Sequence, residues 1–303
     1  MSPELHRLRT SLLFSSFLHA GALMTTVLGL GLLPLADRVE AVTPAAPPLL
    51  RQQALAAPPV KLAALASDAS GITWNDSRGS LFAVRNSEPL VVEMNSDGDV
   101  LRSIRLQDFR DVEGITWLDG DRFAVVEERD CSVWLLDLPP GVAAVARPAQ
   151  PLFALPALNA SRGNKGCEDL AWNPDEQVFY LAREKSPVML LRVSGVRLDA
   201  PGLHKPQVQI LPAQHAVDRF GTDISGLHFD QQSGQLLVLS DESRRITGVA
   251  SGTGLPLLSD GFQLGWWHNG LGRAVPQPEG VTLGRDGTLY VLSEPDLLYR
   301  FDR

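Results

Sequence analysis

Three acidic residues stand at equivalent points of a repeated phrase in this chain of 303 residues. Glu113, Glu168 and Glu279 each precede Gly or Asp and then an aliphatic residue that opens an apolar run. If one fold brings the three carboxylates together, they repel one another unless they bind protons or a cation. Oxygen donors of this kind suit Ca²⁺, with Mg²⁺ as an alternative, so the pattern predicts a site for a hard divalent cation.

Further acids recur close to the same points and extend the predicted site. Asp169 and Asp223 lie beside the opening phrases, while Glu127, Asp241 and Glu294 lie at the end of the second apolar run of their repeats. We predict that these side chains act as additional cation ligands or support the ligands.

A purely structural role is the alternative for the three glutamates. In that case each would cap the amides of a turn or pair with a nearby arginine, and the group would hold no metal. The arginines that the sequence offers for such pairs are Arg129, Arg183 and Arg244.

The repeated phrase itself predicts the fold. It occurs five times, at intervals of roughly fifty residues, and each copy opens a short apolar run that is followed by a second run about ten residues later. The five copies are Ser70-Gly71-Ile72, Glu113-Gly114-Ile115, Glu168-Asp169-Leu170, Ser225-Gly226-Leu227 and Glu279-Gly280-Val281.

Turn signals divide each repeat into short strands. Asn, Asp, Ser and Gly cluster between the Val, Ile and Phe runs, as in hairpins, because these residues adopt the backbone conformations that tight turns require. Each repeat therefore reads as a four-stranded antiparallel meander. Such a sheet buries both faces by stacking on copies of itself, which predicts an all-β β-propeller.

Five blades account for the repeats. The last repeat is one strand short, and the segment from Val60 to Leu65 is a spare strand. An N-terminal strand that completes the C-terminal blade would close the ring and remove exposed sheet edges. The repeats are longer than a compact blade needs, so a sixth, degenerate blade within 141–160 or 195–222 is the alternative.

The N-terminal region belongs to a different class. Residues 11–36 contain no Asp, Glu, Lys or Arg and are long enough to span a bilayer as a helix, with Arg7 and Arg9 before them. We predict a cytoplasmic tail at 1–10, an uncleaved transmembrane signal anchor at 11–36, an Ala/Pro-rich linker at 37–57 and the propeller at 58–303. A cleaved signal peptide is the alternative.

Several strings resemble one bacterial family in the order in which they occur. They are Ala69-Ser70-Gly71-Ile72-Thr73-Trp74, Glu113-Gly114-Ile115-Thr116-Trp117, Phe123-Ala124-Val125-Val126-Glu127-Glu128-Arg129, Asn164-Lys165-Gly166-Cys167-Glu168-Asp169-Leu170-Ala171-Trp172 and Pro278-Glu279-Gly280-Val281. From about residue 60 to 303 the chain resembles the SdiA-regulated, YjiK-like proteins, which are membrane-anchored propellers of unassigned function.

The resemblance implies a single-pass protein of the bacterial inner membrane, with its propeller in the periplasm and a calcium ion near the channel. More distant relatives suggested by the fold are NHL-repeat propellers, gluconolactonase-like enzymes and phytase-like esterases. This chain has Asp169 where family members often have Gly, which places the local backbone there in question.

Composition and motifs narrow the function classes. The formal net charge of −8, with scattered basic residues, provides no positive surface for nucleic acid. The sequence contains no Gly-x-Ser-x-Gly, His-Glu-x-x-His or phosphate-loop motif. These observations favour a binding or sensing module for an unknown small-molecule or protein ligand over an enzyme. A calcium-assisted hydrolase of the lactonase or phosphoesterase type is the alternative.

Two further features have a structural and a functional interpretation. Trp74, Trp117 and Trp172 share one register in three first strands, which favours inter-blade core over a ligand platform, and His228 in the fourth repeat favours a core residue over a base. Cys131 and Cys167 form a disulfide only if the fold brings their Cα atoms within ~7 Å; otherwise they are free thiols.

Overall fold

The computed structural model describes residue 50 and residues 53–159, 166–185, 187–202, 205–211, 223–252, 256–264 and 274–303. Regular structure in these segments is β, apart from two 3₁₀ turns at Ala63–Leu65 and Pro156–Asn159. The predicted tail, membrane anchor and most of the linker lie outside the described residues. No helix within the described segments is long and apolar enough to cross a membrane.

The strands follow the predicted turn signals closely. They are β1 Ala54–Leu55, β2 Val60–Lys61, β3 Ala69–Asn75, β4 Ser80–Arg85, β5 Leu90–Met94, β6 Val100–Gln107, β7 Val112–Asp119, β8 Arg122–Glu127, β9 Ser132–Asp137, β10 Ala144–Ala146, β11 Phe153–Ala154, β12 Cys167–Asn173, β13 Val178–Arg183, β14 Met189–Ser194, β15 Gln207–Leu211, β16 Gly226–Asp230, β17 Gln235–Ser240, β18 Arg245–Ala250, β19 Pro256–Gln263, β20 Pro278–Leu283, β21 Leu289–Ser293 and β22 Leu297–Asp302.

Across the described segments these strands form five sheets, which are the five blades of a propeller. Blade one is β3 to β6, blade two is β7 to β9 with β11, blade three is β12 to β15, and blade four is β16 to β19. Blade five is β20 to β22 together with β1 and β2. The prediction of five blades is confirmed.

The alternative of a sixth blade is wrong. Within 141–160, strand β10 pairs in parallel with β6 of blade one, and β11 supplies the outer strand of blade two. In the described part of 195–222, β15 is the outer strand of blade three. The extra length of these repeats therefore extends existing blades.

The chain closes the ring through its N-terminal segment, as predicted. Val60 pairs with Leu298, and Ala54 pairs with Asp302, so both short strands lie against β22. The rest of the predicted strand forms a 3₁₀ turn at Ala63–Leu65. The left-handed conformation of Ala66 ends this turn, and the Leu65 side chain packs into the core. Strand β1 belongs to the stretch that composition predicted as linker.

Aromatic side chains pack at every junction between neighbouring blades. The burial of such large apolar groups against each other supplies the main driving force for stacking the sheets. In order round the ring the pairs are Phe82 with Phe123, Phe153 with Phe179, Tyr180 with Phe229, Phe262 with Phe301, and Trp74 with Tyr290, at centroid distances of 4.4 to 6.2 Å.

Side-chain hydrogen bonds join the inner strands of adjacent blades. The Trp74 amide donates to Thr282 Oγ1 at 3.0 Å, and the Trp117 amide donates to Thr73 Oγ1 at 3.1 Å. Ala171 occupies the threonine position in blade three and has no hydroxyl. These bonds fix the register of the inner strands, and hence the height at which each opening phrase reaches the channel.

Candidate functional site

Two rings of polar side chains surround a cavity of about 250 Å³ at the mouth of the channel where the inner strands begin. Repetition explains the rings, because each blade contributes one residue from the start of its first strand and one that immediately follows its second strand. The first ring is Ser70, Glu113, Glu168, Ser225 and Glu279, and the second ring is Asn86, Glu128, Glu184, Asp241 and Glu294.

The first ring brings together the three glutamates that head the opening phrases. Burial raises the pKa of Glu113 to about 8, that of Glu168 to about 9 and that of Glu279 to about 8. Neighbouring carboxylates raise each pKa further, and those that act on Glu113 are Glu128, Asp111 and Asp68. A hydrogen bond with Ser70 opposes the increase at Glu113. The site gathers carboxyl groups in a place that is shielded from water, where each holds its proton more tightly than an exposed carboxyl does.

The second ring adds acids that sequence reasoning identified only in part. Burial also raises the pKa of Glu128, Asp241 and Glu294, and neighbouring carboxylates reinforce each shift. Lys185 lies at the rim, where its ammonium contacts Glu184 at 2.7 Å and Glu242 at 2.9 Å. Among the described residues that line the cavity there is no Lys, Arg or His.

Glu128 is the most constrained of these acids. Its side chain is 3% exposed, and its Oε1 accepts a hydrogen bond from the Gly166 amide at 3.0 Å. Its Oε2 is buried and has no hydrogen-bond partner among the residues that the structure describes. A buried carboxylate oxygen without a donor is costly, so this atom points to a ligand that supplies positive charge.

Glu128 also belongs to a compact cluster of three carboxylates. Asp111, Glu113 and Glu128 each offer an oxygen, and these oxygens all lie within 4.8 Å of one another. Arg129, which is exposed, donates to Asp111 at 2.8 Å from the solvent side. The spacing and the oxygen-only donor set fit a hard divalent cation of the Ca²⁺ type.

Glu127, predicted as part of this site, points elsewhere. As the last residue of β8 it faces away from the cavity, where its carboxylate accepts from the Arg110 amide at 2.7 Å and from Trp134 Nε1 at 2.9 Å. Arg147 lies 3.0 Å from the same carboxylate. Successive side chains of a strand alternate between faces, so the prediction is corrected by one residue, to Glu128.

Asp169 is also absent from the cavity lining. Its buried carboxylate accepts from the Leu170 amide at 2.8 Å and, across the junction between blades three and four, from the Leu227 amide at 2.7 Å. Burial raises its pKa well above the ordinary value. Asp169 therefore joins two blades where Ala171 has no hydroxyl to do so, which explains an acid at a position that is otherwise Gly.

The remaining predicted residues line the cavity: Glu113, Glu168, Glu279, Asp241, Glu294 and Asp223. Asp223 accepts from the Ser240 hydroxyl at 2.6 Å and the Asp241 amide at 2.8 Å, so it supports the turn after β17. Sequence reasoning missed four acids of this region, although aligning the ends of the second strands would have found two of them. The missed residues are Glu128 and Glu184, with Asp68 and Asp111 before the inner strands.

The two cysteines form a disulfide that supports this mouth. Their Cα atoms are 5.1 Å apart, which settles the question that the sequence left open. The amides of Cys131 and Cys167 both donate to the Glu128 carbonyl oxygen, at 3.2 and 3.3 Å. Blades two and three are thus tied together at the residue that carries the unpartnered oxygen.

Several solved structures align with this chain. A glutaminyl cyclase from Myxococcus xanthus aligns with a TM-score of 0.53 at 14% identity, over 84% of this chain and 98% of the other. A luciferin-regenerating enzyme aligns at 0.48 and 16%, over 81% and 95%. The Cps50 (Swd1) propeller domain from Myceliophteria thermophila aligns at 0.41 and 14%, over 80% of this chain and 65% of that one.

The alignment with the glutaminyl cyclase shows a common β-propeller fold, and at this identity it carries no information on activity. The family comparison is more specific. The model of the SdiA-regulated family matches residues 51–302, which is nearly the whole propeller together with its N-terminal closing strands. The chain therefore belongs to the SdiA-regulated family.

Proposed function

We propose that this protein is a membrane-tethered, periplasm-facing propeller that binds a divalent cation, Ca²⁺ in the first place, at the acidic mouth of its channel. The observation that carries the proposal is the buried Oε2 of Glu128, which has no hydrogen-bond partner within the described segments, beside the carboxylates of Asp111 and Glu113. With the cation in place, the mouth would act as a binding or sensing site for a small-molecule or protein ligand.

The donor set fits Ca²⁺ better than Mg²⁺. Calcium accepts six to eight oxygen ligands in a flexible arrangement, whereas Mg²⁺ requires near-ideal octahedral geometry. Asp111, Glu113 and Glu128 would hold the ion. Glu168 lies close by, since repulsion from Glu113 and Glu128 raises its pKa. When bound, the ion would supply a positive charge to which an oxygen atom of a ligand can coordinate.

The remaining acids would orient that ligand. Glu279, Glu294 and Asp241 come from blades four and five, on the same cavity but in different blades from the three-carboxylate cluster. Their oxygens accept hydrogen bonds from hydroxyl, amine or amide donors. An oxygen atom of the ligand would therefore bind the cation, and hydrogen-bond donors of the same ligand would bind the acids of blades four and five.

The proposed location rests on two features. Residues 11–36 are apolar and follow Arg7 and Arg9, which predicts a span with its N-terminus in the cytoplasm. The disulfide between Cys131 and Cys167 supports an oxidising compartment for the propeller, such as the bacterial periplasm. The membrane would thus hold the propeller at the periplasmic face of the inner membrane.

Thermal melting of the full-length chain in detergent, with Ca²⁺, Mg²⁺ or EDTA, tests the proposal. We expect Ca²⁺ to raise the Tm more than Mg²⁺ does, because binding to the folded state alone stabilises it by mass action. A Tm that is the same in all three conditions would exclude the cation site.

A screen with lactones and phosphoesters then tests the hydrolase alternative. In that mechanism the ion would polarise a carbonyl or phosphoryl oxygen and one acid of the cavity would act as the base. Turnover that is lost in Glu113→Gln would replace the binding function with a catalytic one. A clear Ca²⁺ shift without turnover is the result that we expect.

A further inference from the structure

A second cavity, of about 210 Å³, lies at the other end of the inner strands and plays no part in the cation site. Each blade contributes one large apolar side chain to its wall at the same register, four residues after the first-ring position. The wall is Trp74, Trp117, Trp172, Phe229 and Leu283. Trp74 and Trp117 are only half-buried, so the interpretation of the tryptophans as core alone is incomplete.

A histidine forms part of the floor. Thr282 Oγ1 accepts the Trp74 amide at 3.0 Å and lies 3.2 Å from His228 Nδ1. The arrangement that satisfies both groups has the Thr282 hydroxyl donating to Nδ1, which leaves the imidazole proton on Nε2. Burial lowers the pKa of His228, against the opposing effect of Asp230 and Asp76, which favours the neutral ring with one N–H donor.

Two carboxylates stand at the rim among the aromatic groups. Asp76 accepts from Trp74 Nε1 at 2.9 Å through Oδ1, and Asp230 accepts from the Ser233 amide at 2.9 Å through Oδ2. Each of these bonds uses one carboxylate oxygen, and the second oxygen has no hydrogen-bond partner in the described part of the chain. Arg285 lines the same cavity and carries a positive charge.

From this combination we propose that the second cavity, which we call the aromatic mouth, binds a single pyranose sugar ring. The aromatic and aliphatic wall would cover the apolar C–H face of the ring. Sugar hydroxyls both donate and accept, so they match acceptors at Asp76 and Asp230 and a donor at His228. The volume lies below the ~300 Å³ lower limit for drug-sized ligands, which suits one ring.

An organic cation is the competing ligand for an aromatic site with acids. The donor N–H of His228 on the floor and the charge of Arg285 in the cavity lining both oppose a cation. A neutral ligand with mixed donors and acceptors avoids both conflicts. The inference is independent of the cation site at the opposite mouth.

The test is a tryptophan fluorescence titration of the full-length chain, in a detergent without a sugar head group. The probes are glucose, galactose, mannose and N-acetylglucosamine, with tetramethylammonium chloride as the cation. We expect a saturable change with at least one sugar and none with tetramethylammonium. The ligand could be a free sugar or the terminal sugar of a glycan, and a disaccharide of the best-binding sugar distinguishes the two. Tighter binding of the disaccharide than of the monosaccharide indicates the end of a glycan, and equal binding indicates a free sugar.

Two variants of the aromatic mouth and one control variant show whether the fluorescence change reports binding in this cavity. We expect Trp117→Ala to weaken sugar binding by about tenfold or more. Asp76 is exposed, so Asp76→Asn leaves the fold intact and reports on the acceptor alone. Glu88→Gln, which changes an exposed carboxylate that lines neither cavity, serves as the control and leaves sugar binding unchanged. The proposal is overturned by no saturable change with any sugar, by binding of tetramethylammonium alone, or by equal binding in Asp76→Asn and the wild type.

Discussion

Gly114 and Asp169 lie against each other at the junction of blades two and three, and a Cβ on Gly114 would stand 2.8 Å from the Asp169 Cα. The inner strands can approach this closely only because one of the two residues has no side chain. The Asp169 carboxylate reaches both neighbours, because its Oδ1 is the atom nearest to that Cβ and its Oδ2 accepts the Leu227 amide of blade four. One pair thus sets the spacing of three blades.

Gly114→Ala tests that spacing. The new methyl group would also meet Leu170 Cδ2 at 3.1 Å, so either the strand or the leucine must move. We expect a loss of about 1–3 kcal/mol in the free energy of unfolding, measured by urea denaturation. Gly252→Ala is the matched control, because no atom of the described residues lies within 4 Å of its added Cβ. Equal stabilities for the two variants would show that the close approach is not limiting.

Asp169→Ala tests the bridge to blade four. The change removes the acceptor of two buried amides, those of Leu170 and Leu227. We expect a loss of about 1–3 kcal/mol, since a buried donor without a partner bears its full desolvation cost. Asp169→Asn keeps one acceptor oxygen and should fall between the wild type and Asp169→Ala. An alanine variant as stable as the wild type would argue against the bridge.

Removing the disulfide should affect stability and cation binding together. The bond closes a segment with a sequence separation of 36 and lies beside Glu128, whose carbonyl accepts both cysteine amides. For Cys131→Ser combined with Cys167→Ser we expect a loss of about 2–4 kcal/mol in unfolding free energy. Ca²⁺ affinity should also fall, as measured by calorimetry.

Reducing agent provides the control for this variant. It should lower the Tm of the wild type and leave the Tm of the serine variant unchanged, because only the wild type has a bond to reduce. A wild-type Tm that does not respond to complete reduction, verified by thiol labelling, would contradict the stabilising role of the bond.

The raised pKa of Glu168 predicts how stability depends on pH when EDTA is present. The unfolded carboxyl titrates near its ordinary value of 4.5, whereas the folded one titrates at about 9. Between these values the folded state holds the proton more tightly, so this group lowers stability as pH rises from about 4.5 to about 9. The wild-type Tm in EDTA should therefore fall across this window.

Glu168→Gln isolates the contribution of this group. The variant cannot ionise at this position, so its Tm relative to the wild type should increase steadily from pH 5 to pH 9 in EDTA. Added Ca²⁺ should reduce the difference, since a cation offsets the repulsion among the acids. A constant difference between the two proteins across the pH range would show that Glu168 does not titrate as proposed.

The sequence predicts the fold well because the repeat makes each element visible several times. All five opening phrases lie at the start of inner strands, and the strand that completes the last blade follows from the shortage in the fifth repeat. The parallel pairing of β10 with β6 was not predictable, because a short Ala/Val segment has no periodic pattern and its partner lies in the preceding blade.

The sequence predicts the position of the site, but it does not show which of two adjacent acids faces the channel. The first ring follows from the repeated phrase, but Glu127 and Glu128 are adjacent acids, and only the strand register decides which of them faces the channel. The pairing of Cys131 with Cys167 depends on a distance between blades, which a single sequence does not contain. Asp111 precedes its strand in a turn, where no pattern singles it out.

Calcium titration of Glu128→Gln beside Glu127→Gln tests the central claim most directly. The variants change adjacent residues in the same way, but only Glu128 has an oxygen in the three-carboxylate cluster. By calorimetry on the full-length chain we predict one Ca²⁺ bound by the wild type and by Glu127→Gln with equal affinity. The affinity of Glu128→Gln should be lower by about tenfold or more. No Ca²⁺ binding by the wild type, or equal losses in both variants, would contradict the account.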